Sequence, residues 1–118
     1  MPEWDIDPRL ADKRVAVIGC GGLGSNAAVM LVRAGVGHLV LIDFDVVSES
    51  NLNRQAFFAD QVGMLKVDAL AVNLRRIRPT VELTLVSERL TAATLADAVT
   101  GADVAIEAVD AADTKATI

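Results

Sequence analysis

The 118-residue chain contains a single cysteine, Cys20. One thiol allows neither an internal disulfide nor a structural zinc site built from cysteine pairs. Long apolar runs are missing as well. No stretch reaches the roughly 18–20 residues that a bilayer-spanning helix needs, and the opening MPEWDID lacks the basic start of a secretory signal. These shortages predict a cytoplasmic protein with no membrane partner. Positive charge is also in deficit: 11 Lys and Arg against 16 Asp and Glu leave a formal net charge of −5. That balance argues against a general nucleic-acid surface, so no nucleic-acid partner is expected. Internal repeats, linkers and low-complexity segments are absent from the chain.

Apolar residues are what the chain has in quantity. At 53% hydrophobic and a mean hydropathy of +0.42, it is no disordered tail and can fill the core of one domain. Short β-branched runs alternate with helical periods. Residues 14–18, RVAVI, read as a buried parallel strand, and 22–34 as a helix packed closely on it, stopped by Gly35 and Gly37. A second strand covers 38–43. Residues 44–63 have no sustained period and read as a long functional loop with a short helical turn. Val67, Leu70, Ala71, Leu74 and Ile77 mark a helix over 65–77 that Pro79 closes. A third strand at 82–86, a helix at 92–100 ended by Gly101, a fourth strand at 103–109 and the start of a helix at 111–118 complete the series.

This alternation predicts an α/β fold, a Rossmann-like doubly wound parallel sheet in the order 3-2-1-4 with helices on both faces. Strands one and four would then flank the crevice where such sheets bind ligands, and Asp110 would face the loop after strand one. The chain ends at Ile118 inside an apparent helix with no cap. The expectation is therefore a nucleotide-binding domain over 1–118, truncated after the fourth strand, from the N-terminal part of a longer protein.

Gly19, Gly21 and Gly24 form a G-x-G-x-x-G pattern between strand and helix, with Gly22 in addition. Such a loop makes the tight turn, lets phosphate approach the backbone and allows close helix–strand contact. Asp43, at the end of the next strand, suits the ribose hydroxyls, and Asp45 is expected to cap the turn that follows. Asn51, Arg54 and Gln55 lie in the long loop, and Arg54 can make forked contacts with phosphate. Lys66 begins a helix, where the macrodipole disfavours a cation unless an anion is bound nearby. Asp110 reads either as a Mg²⁺ ligand or as the N-cap of the last helix, with Asp113 in capping-box position. Cys20 reads as a small buried thiol and His38 as structural, without a visible acid partner. Trp4 and Ile6 suit an apolar edge or a partner surface. Arg54, Lys66 and Asp110 converging on the glycine loop point to ATP.

Four stretches in order, GCGGLGSN (19–26), LIDFDVVSESNLNRQ (41–55), QVGMLK (61–66) and EAVDAADTK (107–115), resemble the ThiF-type adenylyltransferases, relatives of the ubiquitin-activating enzymes. The resemblance implies ATP- and Mg²⁺-dependent adenylation of the C-terminal glycine of a ubiquitin-like sulfur carrier protein, by a homodimer. It puts Gly22 against the phosphates, Asp43 on the ribose, and Ser50, Asn51 and Arg54 along the phosphate site. Lys66 meets phosphate and Asp110 holds the metal. The GGLGSN and NLNRQ wording is most similar to the thiamine-pathway branch. Two departures stand out: Ala111 occupies a position where the family often has Asn, and Arg9 lies too close to the glycine loop to match the Arg that larger members send into a partner subunit. An NAD-dependent oxidoreductase domain would use the glycines and Asp43 but leave 51–55 without a purpose, and a non-catalytic nucleotide-binding scaffold is the third possibility.

Overall fold

The computed structural model describes residues 7–89 and 91–109. Four strands, β1 (Arg14–Ile18), β2 (His38–Ile42), β3 (Glu82–Val86) and β4 (Val104–Glu107), form one sheet in the order β3-β2-β1-β4. Every neighbouring pair is parallel, with Val17 opposite both Leu41 and Ile106, and Leu41 opposite Leu85. The topology is the one the alternation predicts. The central strands β1 and β2 are buried on four of their five residues, which is why both read as continuous apolar runs rather than alternating ones.

Helices α1 (Gly22–Ala34) and α2 (Lys66–Ile77) cover one face, and α3 (Ala92–Val99) covers the other. On the first face Val15, Val17, Leu39 and Leu41 meet Ala28 and Val32 of α1 and Val67, Leu70 and Leu74 of α2. On the second, Ala16, Ile18, Val40 and Ile42 meet the half-buried Leu95, Ala98 and Val99 of α3. No residue of α3 is fully buried, so the first face carries most of the core.

The boundaries moved in informative ways. β2 ends at Ile42, although the Asp43 amide still donates to Val86 O at 3.0 Å. β4 stops at Glu107; the Ala108 amide still donates to Ile18 O at 2.8 Å, and the Glu107 carboxylate accepts from the Val109 amide at 2.9 Å. The long loop holds two 3₁₀ turns, Glu49–Asn51 and Ala59–Gln61, and a bridge between Val46 and Leu65. Asp110, Ala111, Asp113 and the helix expected at 111–118, with Trp4 and Ile6, lie outside the described residues.

Candidate functional site

The site lies beyond the carboxyl ends of β1 and β2. Two glycines are there for the fold itself. Gly19 has φ +94°, and a Cβ on it would stand 3.0 Å from Val109. A Cβ on Gly24 would strike the Gly19 carbonyl, so α1 can lie on the loop only if that position is bare. Gly19 also places the chain just before Asp110 against the glycine loop.

Gly21 and Gly22 differ. Neither has a positive φ, and a Cβ on Gly21 would meet only Gln55 Nε2 at 3.6 Å and Gln55 Cδ at 4.0 Å. One on Gly22 would meet Arg54 Cγ at 3.9 Å. These are ordinary contacts, so packing does not require glycine at either place. What the two bare positions leave is a space walled by Arg54 and Gln55. Gly21 is also the N-cap of α1 and offers no side-chain hydrogen bond, so the first amides of a 13-residue helix open onto that space. Unsatisfied amides at a bare cradle fit a phosphate group. Gly24→Ala should therefore lower the melting temperature, whereas Gly21→Ala should leave it near wild type and reduce nucleotide affinity. Thermal melts and an ATP titration on both variants check this contrast.

Asp43 ties the loop to the next strand. One carboxylate oxygen accepts from the Cys20 amide at 2.7 Å and the other from the Asp45 amide at 2.7 Å. Each oxygen retains a lone pair for a further donor such as a ribose hydroxyl. The Asp43 side chain thus holds the Cys20 amide and the turn into Asp45 together. The Ser48 amide donates to Asn51 Oδ1 at 2.9 Å, so Asn51 is turned back to hold the 3₁₀ turn. The Ser50 hydroxyl lies 3.1 Å from that of Ser48.

Arg54 is exposed, and its Nη1 donates to Ser50 O at 2.8 Å and Asn53 Oδ1 at 3.0 Å. Gln55 is buried with Oε1 unpaired. Lys66 is the first residue of α2, only 7% exposed, and its ammonium has no hydrogen-bond or ion-pair partner among the described residues. Its charge is close enough to act on the Cys20 thiol. Burial pushes that thiol well above its usual range, the Asp43 charge adds to the effect and Lys66 opposes it. Cys20 is fully buried and stays protonated at neutral pH. It should resist iodoacetamide in the native protein at pH 8 and react after denaturation, as intact-mass measurements can show.

The structure thus gathers Gly19, Gly21, Gly22, Gly24, Asp43, Arg54, Gln55 and Lys66 around one loop. Ser50 and Asn51 stand on the adjoining 3₁₀ turn, and Asp110 lies outside the described residues. These residues contain no group of three metal-ligating side chains that could hold an ion by themselves. Arg9 lies in the 3₁₀ turn Pro8–Leu10 ahead of β1, at the amino end of the central strands, paired with Asp7 at 2.8 Å. His38 does have an acid beside it, since its Nδ1 lies 3.5 Å from Glu82 across the β2–β3 register, which corrects the expectation of no such partner. Arg14 Nη1 at 3.3 Å and Thr84 Oγ1 at 2.9 Å complete the ring's contacts.

Two further residues border the site, and neither belongs to the glycine pattern or the long loop. Ser25 Oγ accepts from the Ala56 amide at 3.0 Å, and Asn26 Nδ2 donates to Arg54 O at 2.9 Å. The available signal was an Asn inside a helix, a position that Asn disfavours unless its side chain has work elsewhere.

The ThiF family profile matches residues 5–118. Ubiquitin-like modifier-activating enzyme 5 of Drosophila ananassae is 49% identical over 75 residues, 64% of this chain and 19% of that protein. The enzyme of the same name from Oryza sativa subsp. japonica is 47% identical over 83 residues, 70% of this chain and 20% of that protein. Among solved structures, Escherichia coli tRNA N6-threonylcarbamoyladenosine dehydratase, TcdA, in complex with ATP superimposes with a TM-score of 0.86 at 37% identity, covering 92% of this chain and 46% of that one. E. coli MccB with ATP gives 0.81 at 28% identity, covering 89% and 32%. The chain therefore spans under half the length of these solved relatives and about a fifth of the curated ones. No helix among the described residues is long and apolar enough to cross a membrane.

Proposed function

The chain belongs to the ThiF family, and on that premise we propose that it is the nucleotide-binding part of an enzyme that uses ATP to adenylate the C-terminal carboxylate of a protein or peptide partner. The observation that carries this is the pair of glycines, Gly21 and Gly22, left bare at an uncapped helix start and faced by Gln55 and Arg54. The complexes of TcdA and MccB with ATP support the ligand. The relatives named for ubiquitin-like modifiers, and MccB with its MccA peptide, support a protein or peptide acceptor.

In this reading the acceptor carboxylate attacks the α-phosphorus. A carboxylate O–P bond forms, the bridging P–O bond breaks, and pyrophosphate leaves. No protein nucleophile is needed, which agrees with a buried, protonated Cys20. Two anions must be brought together, so the chain's contribution is charge and alignment. The first amides of α1 receive phosphate, Asp43 holds the ribose, and Arg54 and Lys66 neutralise the outer phosphates, with Ser50, Asn51 and Gln55 shaping the wall. Asp110 is assigned to Mg²⁺, which would withdraw charge from the phosphate oxygens when bound.

The narrower form of the proposal is a ubiquitin-like sulfur carrier acting in thiamine synthesis in the cytoplasm, by a homodimer. A groove of about 530 Å³ between α1 and α2, lined by Val29, Arg33, Phe57, Phe58, Arg76 and Ile77, offers a surface for the second copy, and Met30 stands exposed on the same helix as Val29 and Arg33.

The test is ATP–pyrophosphate exchange with candidate carriers, set beside titrations with Mg·ATP and NAD. Carrier-dependent exchange supports the proposal. Tighter binding of NAD than of Mg·ATP favours the oxidoreductase reading, and ATP binding without exchange for any carrier favours a scaffold.

A further inference from the structure

Among the described residues, no hydrogen bond or ion pair ties the Arg54 guanidinium to the glycine loop. Nη1 is bonded to Ser50 O and Asn53 Oδ1, both in its own loop. What joins the two segments is the second turn of α1. Asn26 Nδ2 donates to Gly22 O at 2.6 Å and to Arg54 O at 2.9 Å, spanning from the helix start to the backbone that carries Arg54. Its neighbour Ser25, fully buried, accepts from the Ala56 amide two residues further along. One side chain donates and the next accepts, so the stretch 54–56 is clamped to α1 by two adjacent residues. The Asn26 amide is the part of this clamp that touches both the cradle and Arg54.

We infer that Asn26 is a positioning residue that fixes the origin of the Arg54 side chain relative to the phosphate cradle, and so sets affinity for the outer phosphates of ATP. The inference rests on the ATP reading above. It assigns to Asn26 no contact with the nucleotide. The side chain is exposed on α1, and alanine is a better helix former than asparagine, so Asn26→Ala is expected to fold.

The experiment compares wild type, Asn26→Ala, Arg54→Ala and the double variant by titration with Mg·ATP and with AMP, alongside thermal melts. Asn26→Ala should bind ATP about tenfold more weakly, a change of the size that one misplaced charged contact produces. AMP affinity should stay within about twofold, because AMP lacks the outer phosphates, and the melting temperature should not fall. Asn26→Ala should also add nothing to the loss in the Arg54→Ala background, since it acts through that side chain. Asn26→Gln, which keeps the donor, should recover part of the ATP affinity.

Equal weakening of ATP and AMP, a lowered melting temperature with unchanged ATP affinity, or full additivity with Arg54→Ala would each overturn the inference. Wild type that binds no ATP would defeat the underlying reading. ATP-binding wild type with an unaffected Asn26→Ala defeats the positioning role alone.

Discussion

Replacing Arg54 by alanine should lower ATP-dependent adenylation by roughly 10²–10³-fold, the range for removing one preorganised transition-state contact. Stability should change by no more than about 0.5 kcal/mol, as for most surface positions. The two expectations follow from different observations. Arg54 is exposed, and its guanidinium bonds reach only its own loop, so the folded state gains little from that side chain. Yet its stem stands 3.9 Å from where a Gly22 Cβ would be, and a planar fork at that place can take two phosphate oxygens at once. Arg54→Lys should recover only part of the activity, because an ammonium keeps the charge and loses the fork. Initial-rate pyrophosphate exchange and urea titrations on the same preparations check both halves. A rate within a few-fold of wild type, or a loss matched by unfolding, would remove Arg54 from the proposed site.

Replacing Lys66 by methionine should move stability and function in opposite directions. A cation at the first position of α2 opposes the helix dipole. This one is also 7% exposed and lacks a hydrogen-bond partner among the described residues. A cation held there with most of its side chain buried costs the ligand-free fold stability. Methionine has similar length and no charge, so the ligand-free variant should gain about 1 kcal/mol, in line with apolar replacements of buried ionic groups. The same change removes the positive charge next to the glycine loop. Adenylation should then fall by roughly 10²-fold or more, and added ATP should no longer raise the melting temperature. Melts with and without Mg·ATP separate these effects. A variant that is less stable than wild type yet still stabilised by ATP would show that Lys66 serves packing instead. The expected pattern is a trade of stability for a charge held ready to meet an anion.

Much of the fold was legible because its signals are local. Val15 to Ile18 and Leu39 to Ile42 are apolar without alternation, and only a strand buried on both faces tolerates that pattern. Gly35 caps α1 through its amide to Leu31 O and Val32 O, as a glycine after the last helical period predicts. The edges were harder to read. Residues 108–109 continue the apolar run of β4, yet the strand ends at Glu107 because its neighbour β1 ends at Ile18 and turns away at Gly19, φ +94°. Asp43 binds the backbone on both sides, the Asp45 amide two residues on and the Cys20 amide from the neighbouring strand end, and only the first of these is a local signal. The second depends on Cys20 being brought beside Asp43 by the β1–β2 pairing.

The sequence by itself determined the order of elements, the parallel sheet, the glycine loop at the end of the first strand and the residue types available to hold a nucleotide. Those features depend on period, β-branching and turn chemistry within a few residues of each other. Only the tertiary structure decided that Gly24 is needed for packing while Gly21 and Gly22 are left bare, that Lys66 is largely buried with no partner among the described residues, and that Asn26 reaches the Arg54 backbone. Each of these is a distance between segments remote along the chain, set when α1, α2 and the long loop close on one face of the sheet, and no local pattern encodes it.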